Sequence, residues 1–123
     1  MLRLVTFSNY TAHSAPLFKS LNILTINDIY KIQTLKFVYA CLSKSNPSQF
    51  HDYFLYSSTK LYTHCIRERL LNTPQPRTVT YGKKSIKYEG AVLWNNLPIS
   101  IRTLSTLKQF VKKSKTLMIS SYV

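Results

Sequence analysis

The sequence predicts a single α+β domain, mostly helical, with three or four helices around one short β-hairpin. Two stretches carry apolar residues at helical spacing, residues 26–42 and the segment from Thr103 or Ser105, either of which can cap its start, to about Ile119. A third stretch, Arg77–Tyr88, alternates with a period of two about the pair Gly82-Lys83, as a hairpin does. At 123 residues the chain has material for one core, so we treat 1–123 as one domain.

The first third of the chain predicts two helices. Residues 1–13 are compatible with a short strand or an irregular lead-in. Ser14 has the place of an N-cap, which predicts a helix of about two turns. Thr25-x-x-Asp28 has the form of a capping box before the longer helix Ile26–Leu42. Apolar residues lie on nearly every side of that helix, so we expect it to be central and buried.

The middle of the chain is less regular. Gln49–Leu55 predicts a short helical turn, and residues 56–82 predict extended or looped backbone. Tyr88–Asn96 predicts a short helix that carries Trp94, the only tryptophan, and Pro98 favours a turn after it. We expect the indole to lie near the centre of the core, with the terminal helix packed against it.

Positive charge is the dominant property of the sequence. The formal net charge is +13. Residues 1–62 carry six Lys and Arg against two acids, whereas residues 63–123 carry eleven against two. Such a density favours binding to polyanions through phosphate neutralisation and counterion release. The alternative is a solvated surface, or part of a larger protein whose acidic regions lie elsewhere.

The candidate nucleic-acid contacts are nine cations of the second half. They are Arg67, Arg69, Arg77, Lys83, Lys84, Lys87, Lys108, Lys112 and Lys115. Tyr62, Tyr81 and Tyr88 are interleaved with them and offer ring faces on which unpaired bases can stack. These rings could instead pack on the core, which we favour for Tyr88. A membrane-surface role for the terminal basic helix is the rival interpretation, but its apolar face is more simply used against the core.

No pattern in the sequence indicates an enzyme, a metal or a cofactor. The two cysteines and three histidines form no C-x-x-C or H-x3-H spacing. Neither Cys41 nor Cys65 stands in a recognisable nucleophile motif. Four carboxylates are too few for paired-carboxylate metal chemistry, and the two glycines build no phosphate-binding loop.

Compartment and membrane association follow from composition. Two cysteines fit a reduced intracellular compartment better than a disulfide scaffold. The N-terminal residues contain no uninterrupted apolar signal region, and no window approaches 18 apolar residues. We therefore expect an intracellular protein, cytoplasmic or nuclear, with no membrane partner.

Four stretches of the chain resemble a known family. They are Thr6–Tyr39, Thr63–Arg69, Arg77–Pro98 and the run STLKQFVKKSKTLMISSY from Ser105. Together they resemble the C-terminal region of reverse transcriptases from non-LTR retrotransposons of the jockey and chicken-repeat type. The most specific part is G-K-x-S-I-x-Y-x-G-A-x-L-W-N-x-L-P, which runs from Gly82 to Pro98.

The resemblance implies a piece of a polyprotein that also carries an endonuclease and an RNA-directed DNA polymerase. It implies no polymerase activity for this chain, since the Tyr-x-Asp-Asp motif is absent and no catalytic residues can be carried over. Met1 would then be an interior methionine or a gene-model start. The expected function is a noncatalytic accessory module that binds RNA or DNA with low sequence specificity. The alternatives are a docking module for the upstream reverse transcriptase domain and a nonfunctional relic.

Overall fold

Six α-helices make up the secondary structure of this chain in a computed structural model that describes residues 2–57 and 69–122. They are α1 (Leu2–Val5), α2 (Ser14–Ser20), α3 (Ile26–Leu42), α4 (Ile86–Asn95), α5 (Ile99–Arg102) and α6 (Leu107–Ser120), with one 3₁₀ turn at Ser48–Phe50. Helix α3 is central, because both α4 and α6 pack on it. The mostly helical part of the fold prediction is therefore confirmed, whereas the predicted number of three or four helices is too low for the described residues.

The predicted β-hairpin over Arg77–Tyr88 is wrong, and with it the α+β class. In the described ranges no strand is present, and the only β-type pairing is an isolated antiparallel bridge between Tyr56 and Leu71. Residues 79–84 form turns, and α4 begins at Ile86.

Ser85 explains why helix replaces the second strand of the hairpin. Its side-chain oxygen accepts a hydrogen bond from the Tyr88 backbone N–H (3.4 Å), which caps the helix. Glu89 adds a negative charge in the first turn, where the helix dipole favours it. Lys83 and Lys84 consequently lie in a turn and Lys87 in a helix, rather than on a hairpin.

The N-terminal predictions differ from the structure in detail. Residues 2–5 form one helical turn, α1, which is neither the strand nor the irregular lead-in expected. Ser14 is the first residue of α2, and the N-cap position belongs to His13, which makes no capping hydrogen bond with its side chain. Thr25 does cap α3 through its side chain, and the bounds of α3 are confirmed. The capping box is completed differently than predicted, because the Thr25 N–H donates to the Tyr122 hydroxyl and not to Asp28.

Helix α3 is less completely buried than its apolar composition predicts. Its covered face carries Ile32, Leu35, Val38 and Cys41, all nearly inaccessible. Ile26 near its start is 82% exposed, and the next two large apolar residues along the helix are about half exposed. Because α4 and α6 cover only part of the helix surface, an apolar side chain near the start remains open to solvent.

Trp94 lies at the centre of the core, as predicted. It is 2% exposed, and its ring stacks on Phe110 of α6 at a centroid distance of 5.6 Å and an interplanar angle of 27°. Ile101 of α5 is also buried, whereas Ile99 of the same helix is exposed. The core is completed by Leu35, Val38, Cys41, Phe54, Leu71, Ala91 and Leu97.

The terminal helix begins later than predicted. Helix α6 starts at Leu107 after Thr106, which makes no capping hydrogen bond with its side chain, so neither Thr103 nor Ser105 is the cap. Phe110 and Ser114 form its most buried positions.

Tyr122, just beyond α6, fastens the end of the chain to the start of α3. Its hydroxyl accepts a hydrogen bond from the Thr25 N–H (3.0 Å) and donates one to Asp28 Oδ2. The Thr25 hydroxyl donates to the same carboxylate oxygen (2.8 Å), and Lys31 pairs with the other at 3.1 Å. Burial would raise the pKa of Asp28, but these three hydrogen-bonding partners outweigh it and hold the pKa below its ordinary value.

Gly90→Ala is expected to destabilise the fold by about 1–2 kcal/mol, although alanine is the better helix former by about 1 kcal/mol. A Cβ at this position would lie 2.9 Å from Val38 Cγ2 and 3.0 Å from Phe54 Cζ. Both neighbours are buried and cannot move away freely. Urea denaturation of the wild type and the variant measures the difference.

The control for this prediction is the double variant Gly90→Ala with Val38→Ala. Since the smaller residue makes room for the added methyl, the double variant should be more stable than the sum of the two single effects. A gain in stability for Gly90→Ala alone would contradict the packing argument.

Candidate nucleic-acid interface

Four predicted cations lie in the turn that precedes α4 or next to it along the chain, and we call them the loop group: Arg77, Lys83, Lys84 and Lys87. All four are exposed. Tyr81 lies among them and is 83% exposed, so its ring is not used by the core. Tyr88, by contrast, is half-buried, as the core interpretation expects. The loop group therefore combines positive charge with one fully available ring.

Local hydrogen bonds hold this turn in shape. The Gly82 N–H donates to Thr78 Oγ1 (3.1 Å), and the Ser85 hydroxyl donates to the Gly82 carbonyl (2.8 Å). A Cβ on Gly82 would lie 2.6 Å from the Thr78 carbonyl oxygen and 2.6 Å from the Cβ of Pro76. Only glycine permits so close an approach of the chain to itself, which fixes the turn that carries Tyr81.

Lys87 is positioned by an aromatic contact. Its ammonium nitrogen lies 5.5 Å from the centroid of the Tyr53 ring, within cation–π range. Tyr53 belongs to a cluster of edge-to-face rings beside α3 with Phe37, Phe50 and Phe54. The lysine thus sits at the border between this cluster and solvent.

A second set of cations lies on α6, and we call it the α6 stripe: Lys108, Lys112 and Lys115. Their i, i+4, i+7 spacing puts them on one side of the helix. Lys108 and Lys112 are exposed and Lys115 is half-buried. Lys112 also lines a shallow groove of about 500 Å³ with Lys113, which the sequence reasoning omitted. The one feature of the sequence that could have indicated Lys113 is its position next to Lys112 of the α6 stripe.

Arg69 is held in a strained backbone conformation. Its φ is 52°, in the left-handed region that residues other than glycine seldom adopt. The Trp94 indole N–H donates to its carbonyl oxygen (2.9 Å). Asn95, the last residue of α4, clamps the backbone of Leu71, which follows Arg69 by two residues. The Asn95 Oδ1 accepts a hydrogen bond from the Leu71 N–H (2.7 Å), and the Asn95 Nδ2 donates one to the Leu71 carbonyl (2.9 Å). The end of α4 therefore fixes where Arg69 emerges, a role for Asn95 that sequence reasoning did not detect.

A pocket of about 150 Å³ opens beside Arg69. Arg102, which ends α5 and is buried, lines the same pocket. Sequence reasoning also missed Arg102, because nothing local distinguishes it from a surface arginine.

Two predicted residues, Arg67 and Tyr62, lie outside the described residues. Of the eight described candidates, seven are exposed and Lys115 is half-buried. Between residues that the structure describes, the only ion pair joins Lys31 to Asp28, which belong to neither basic set.

The nearest acid along the chain to the loop group, Glu89, is engaged by Tyr30. The Tyr30 hydroxyl donates to Glu89 Oε2 (2.8 Å), and this bond raises the pKa of Tyr30, with desolvation and the Glu89 charge contributing further. Elsewhere, burial raises the pKa of the Cys41 thiol, which works against a nucleophilic role.

Other kinds of site find little support in the described ranges. Residues 2–57 and 69–122 bring together no group of three or more His, Cys, Asp and Glu that could hold a metal ion. In the same ranges no helix has the length and apolar character needed to cross a membrane.

A scan against protein-family models, a search of curated proteins and a search of solved structures each returned no match. The resemblance to non-LTR reverse transcriptases stays a prediction that depends on the motifs of the sequence.

Proposed function

We propose that this chain is a noncatalytic nucleic-acid-binding module, and that it corresponds to the C-terminal accessory region of a non-LTR retrotransposon reverse transcriptase. The observation that carries the binding proposal is the ring of Tyr81, which is 83% exposed and lies in the chain between Arg77 and Lys83 of the loop group. An exposed ring offers a face on which an unpaired base can stack, and neighbouring cations favour a ligand that also carries phosphates. The assignment to a reverse transcriptase depends on the resemblance alone.

Two contributions to the binding affinity are expected, a charge term from phosphate contacts and a stacking term from an aromatic ring, and they can be measured separately. The loop group and the α6 stripe supply phosphate contacts, which depend steeply on salt and little on sequence. Tyr81 supplies stacking, which needs an unpaired base. Single-stranded RNA or DNA should therefore bind more tightly than a duplex of the same length.

The charge term is tested with the variant Lys83→Gln, Lys84→Gln, Lys87→Gln. Fluorescence anisotropy with a labelled single strand at several salt concentrations should show a slope of log K against log salt that is smaller by about two to three. The matched control removes the same charge elsewhere, with Lys19→Gln, Lys36→Gln and Lys44→Gln. The proposal fails if wild-type protein binds no nucleic acid at low salt, or if both triple variants lose affinity equally.

The stacking term is tested with Tyr81→Ala. Loss of one stacked base should weaken single-strand binding by about 5- to 100-fold, with duplex binding unchanged. Tyr81→Phe should keep most of the affinity, because the ring face remains. Tyr10→Ala is the control, since Tyr10 is equally exposed at 85% but lies away from the loop group in sequence. If Tyr10→Ala has the larger effect, the ring that binds has been misassigned.

Docking on an upstream polymerase domain is the second candidate. The observation that favours it is the open apolar surface near the start of α3, where Ile26 is 82% exposed and Ile29 and Tyr30 are about half exposed. Co-expression with an upstream polymerase segment separates the candidates. A stable complex that is abolished by Ile26→Asp and leaves nucleic-acid binding intact would assign docking to this surface and binding to the loop group.

A further inference from the structure

The pocket between α3, α5 and the Arg69 segment has the lining of an anion site. The end of α3 contributes Tyr39, Leu42 and Ser43, and the chain around the end of α5 contributes Arg102, Leu104 and Ser105. Tyr56, Arg69 and Trp94 complete it. Among the described residues that line the pocket, two are arginine and none is Asp or Glu. An anion is the ligand that such a lining stabilises.

From this lining we propose that the pocket binds a phosphate monoester, the terminal phosphate of a nucleic-acid strand. The inference rests on the proposed function, because it takes the strand end as the source of the phosphate. The pocket adds to the loop group a site that recognises a chain end rather than the length of the backbone.

Arg69 is the donor that reaches the ligand. Its guanidinium makes no hydrogen bond or ion pair with any residue of the described ranges, and its side chain is exposed. Its backbone is fixed by the Trp94 indole at a φ of 52°. Backbone strain of this kind persists where the surrounding structure enforces it, and it clusters at binding and catalytic sites. The arginine side chain thus lines the pocket from a backbone position that the Trp94 hydrogen bond fixes.

Arg102 supplies fixed positive charge. It is 7% exposed, and the residue takes part in an interaction within the protein. A buried charge acts through a medium of lower dielectric than water and attracts an anion in the pocket more strongly than a surface charge does.

The C-terminal end of α3 is the feature that works against an anion, because its carbonyl groups carry partial negative charge. Three of those carbonyls are already engaged. Tyr39, Ala40 and Cys41 accept hydrogen bonds from the N–H groups of Ser43, Ser45 and Lys44, at 2.9, 3.0 and 3.2 Å. The remaining partial negative charge at the end of α3 is opposed by the full positive charges of Arg69 and Arg102.

The size of the pocket selects a phosphate rather than a whole nucleotide. Its volume is about 150 Å³, below the roughly 300–1,000 Å³ of pockets that enclose small-molecule ligands. Tyr56 and Ser105, two exposed residues of the lining, carry hydroxyl groups of the kind that donates to phosphate oxygens. The base and sugar of the terminal nucleotide would remain outside.

The test compares oligonucleotides of one sequence that end in a 5′-phosphate, a 3′-phosphate or hydroxyls only, with the label on the other end. A terminal phosphate should strengthen binding of the full chain by about tenfold. Arg69→Gln should reduce that ratio to one, and Arg69→Lys should leave an intermediate ratio because it keeps the charge but loses the planar fork. Arg77→Gln is the control and should weaken all strands alike with the ratio unchanged.

The outcomes are distinguishable. Salt-dependent binding with equal affinity for phosphorylated and unphosphorylated strands would overturn the pocket and leave the proposed function standing. Absence of all strand binding would overturn both. If inorganic phosphate binds the wild type in isothermal titration calorimetry and does not bind Arg69→Gln, the phosphate site is supported. If inorganic phosphate then fails to compete with a phosphorylated strand, the assignment of the strand end to this pocket is overturned. Because Arg69 is exposed, its variants should fold, whereas variants of buried Arg102 are not needed for the test.

Discussion

Replacing Trp94 by alanine is expected to lower the free energy of unfolding by about 3–5 kcal/mol, the usual cost of truncating a buried aromatic residue. The side chain is 2% exposed and stacks on Phe110. The variant also removes the only donor to the Arg69 carbonyl among the described residues. Since a domain of this size is stable by only about 5–15 kcal/mol, the variant should be partly unfolded at 37 °C. Urea denaturation followed by far-ultraviolet circular dichroism measures the loss.

Two companion variants keep the Trp94 prediction informative. Trp94→Phe retains a ring against Phe110 but leaves the Arg69 carbonyl without its indole donor, and should cost about 1–3 kcal/mol. Val79→Ala removes an exposed apolar side chain and should change stability by less than about 0.5 kcal/mol. A loss below 1 kcal/mol for Trp94→Ala would contradict the central position of the indole.

Asp28→Asn is expected to cost about 1.5–3 kcal/mol at pH 7, because it removes a charged acceptor that is hydrogen-bonded and buried. Tyr122, Thr25 and Lys31 all donate to this carboxylate. The variant keeps the shape of the side chain, so the loss reports on the hydrogen bonds and the charge. Thermal unfolding at pH 7 gives the first measurement.

The second measurement is the pH dependence of the stability of the wild type and of Asp28→Asn. The pKa of Asp28 is lower in the folded protein than its ordinary value of 3.8. A carboxyl group with a depressed pKa stabilises the fold above its unfolded pKa and loses that contribution as the pH falls through the folded pKa. The difference between wild type and Asp28→Asn should therefore be full above about pH 5 and shrink towards pH 2. Asp52→Asn, at an exposed position, is the control; a difference that grows on acidification would contradict the assignment.

Local signals predicted the parts of the fold that local chemistry determines. The bounds of α3 followed from the Thr25 cap and the run of apolar residues behind it, and both are present in the structure. The stretch from Arg77 to Tyr88 was predicted as a hairpin from its alternation alone, whereas the structure forms turns and the start of α4 there. Packing of α4 on α3 decides in favour of helix, and that contact joins residues far apart in sequence.

In the candidate site, too, features that depend on local sequence were predicted and features that depend on distant contacts were not. Exposure of the loop group and of two lysines of the α6 stripe agrees with what charge and spacing indicate. The roles of Asn95 and Arg102 could not be predicted, because each depends on a distant partner or neighbour. Asn95 binds Leu71, 24 residues earlier, and Arg102 is buried beside a pocket that α3 and Arg69 help to build.

The clamp by Asn95 has a consequence for the backbone of Leu71. Residues 70 and 72 pair with residues 55 and 57 through two backbone hydrogen bonds, both 2.9 Å. On the opposite side, the amide of Asn95 occupies both backbone groups of Leu71, as a neighbouring strand would. Leu71 is 3% exposed, so water has little access to these two backbone groups. Loss of the Asn95 amide would leave a buried N–H and a buried carbonyl without their hydrogen bonds, at a cost of about 1–3 kcal/mol for each group.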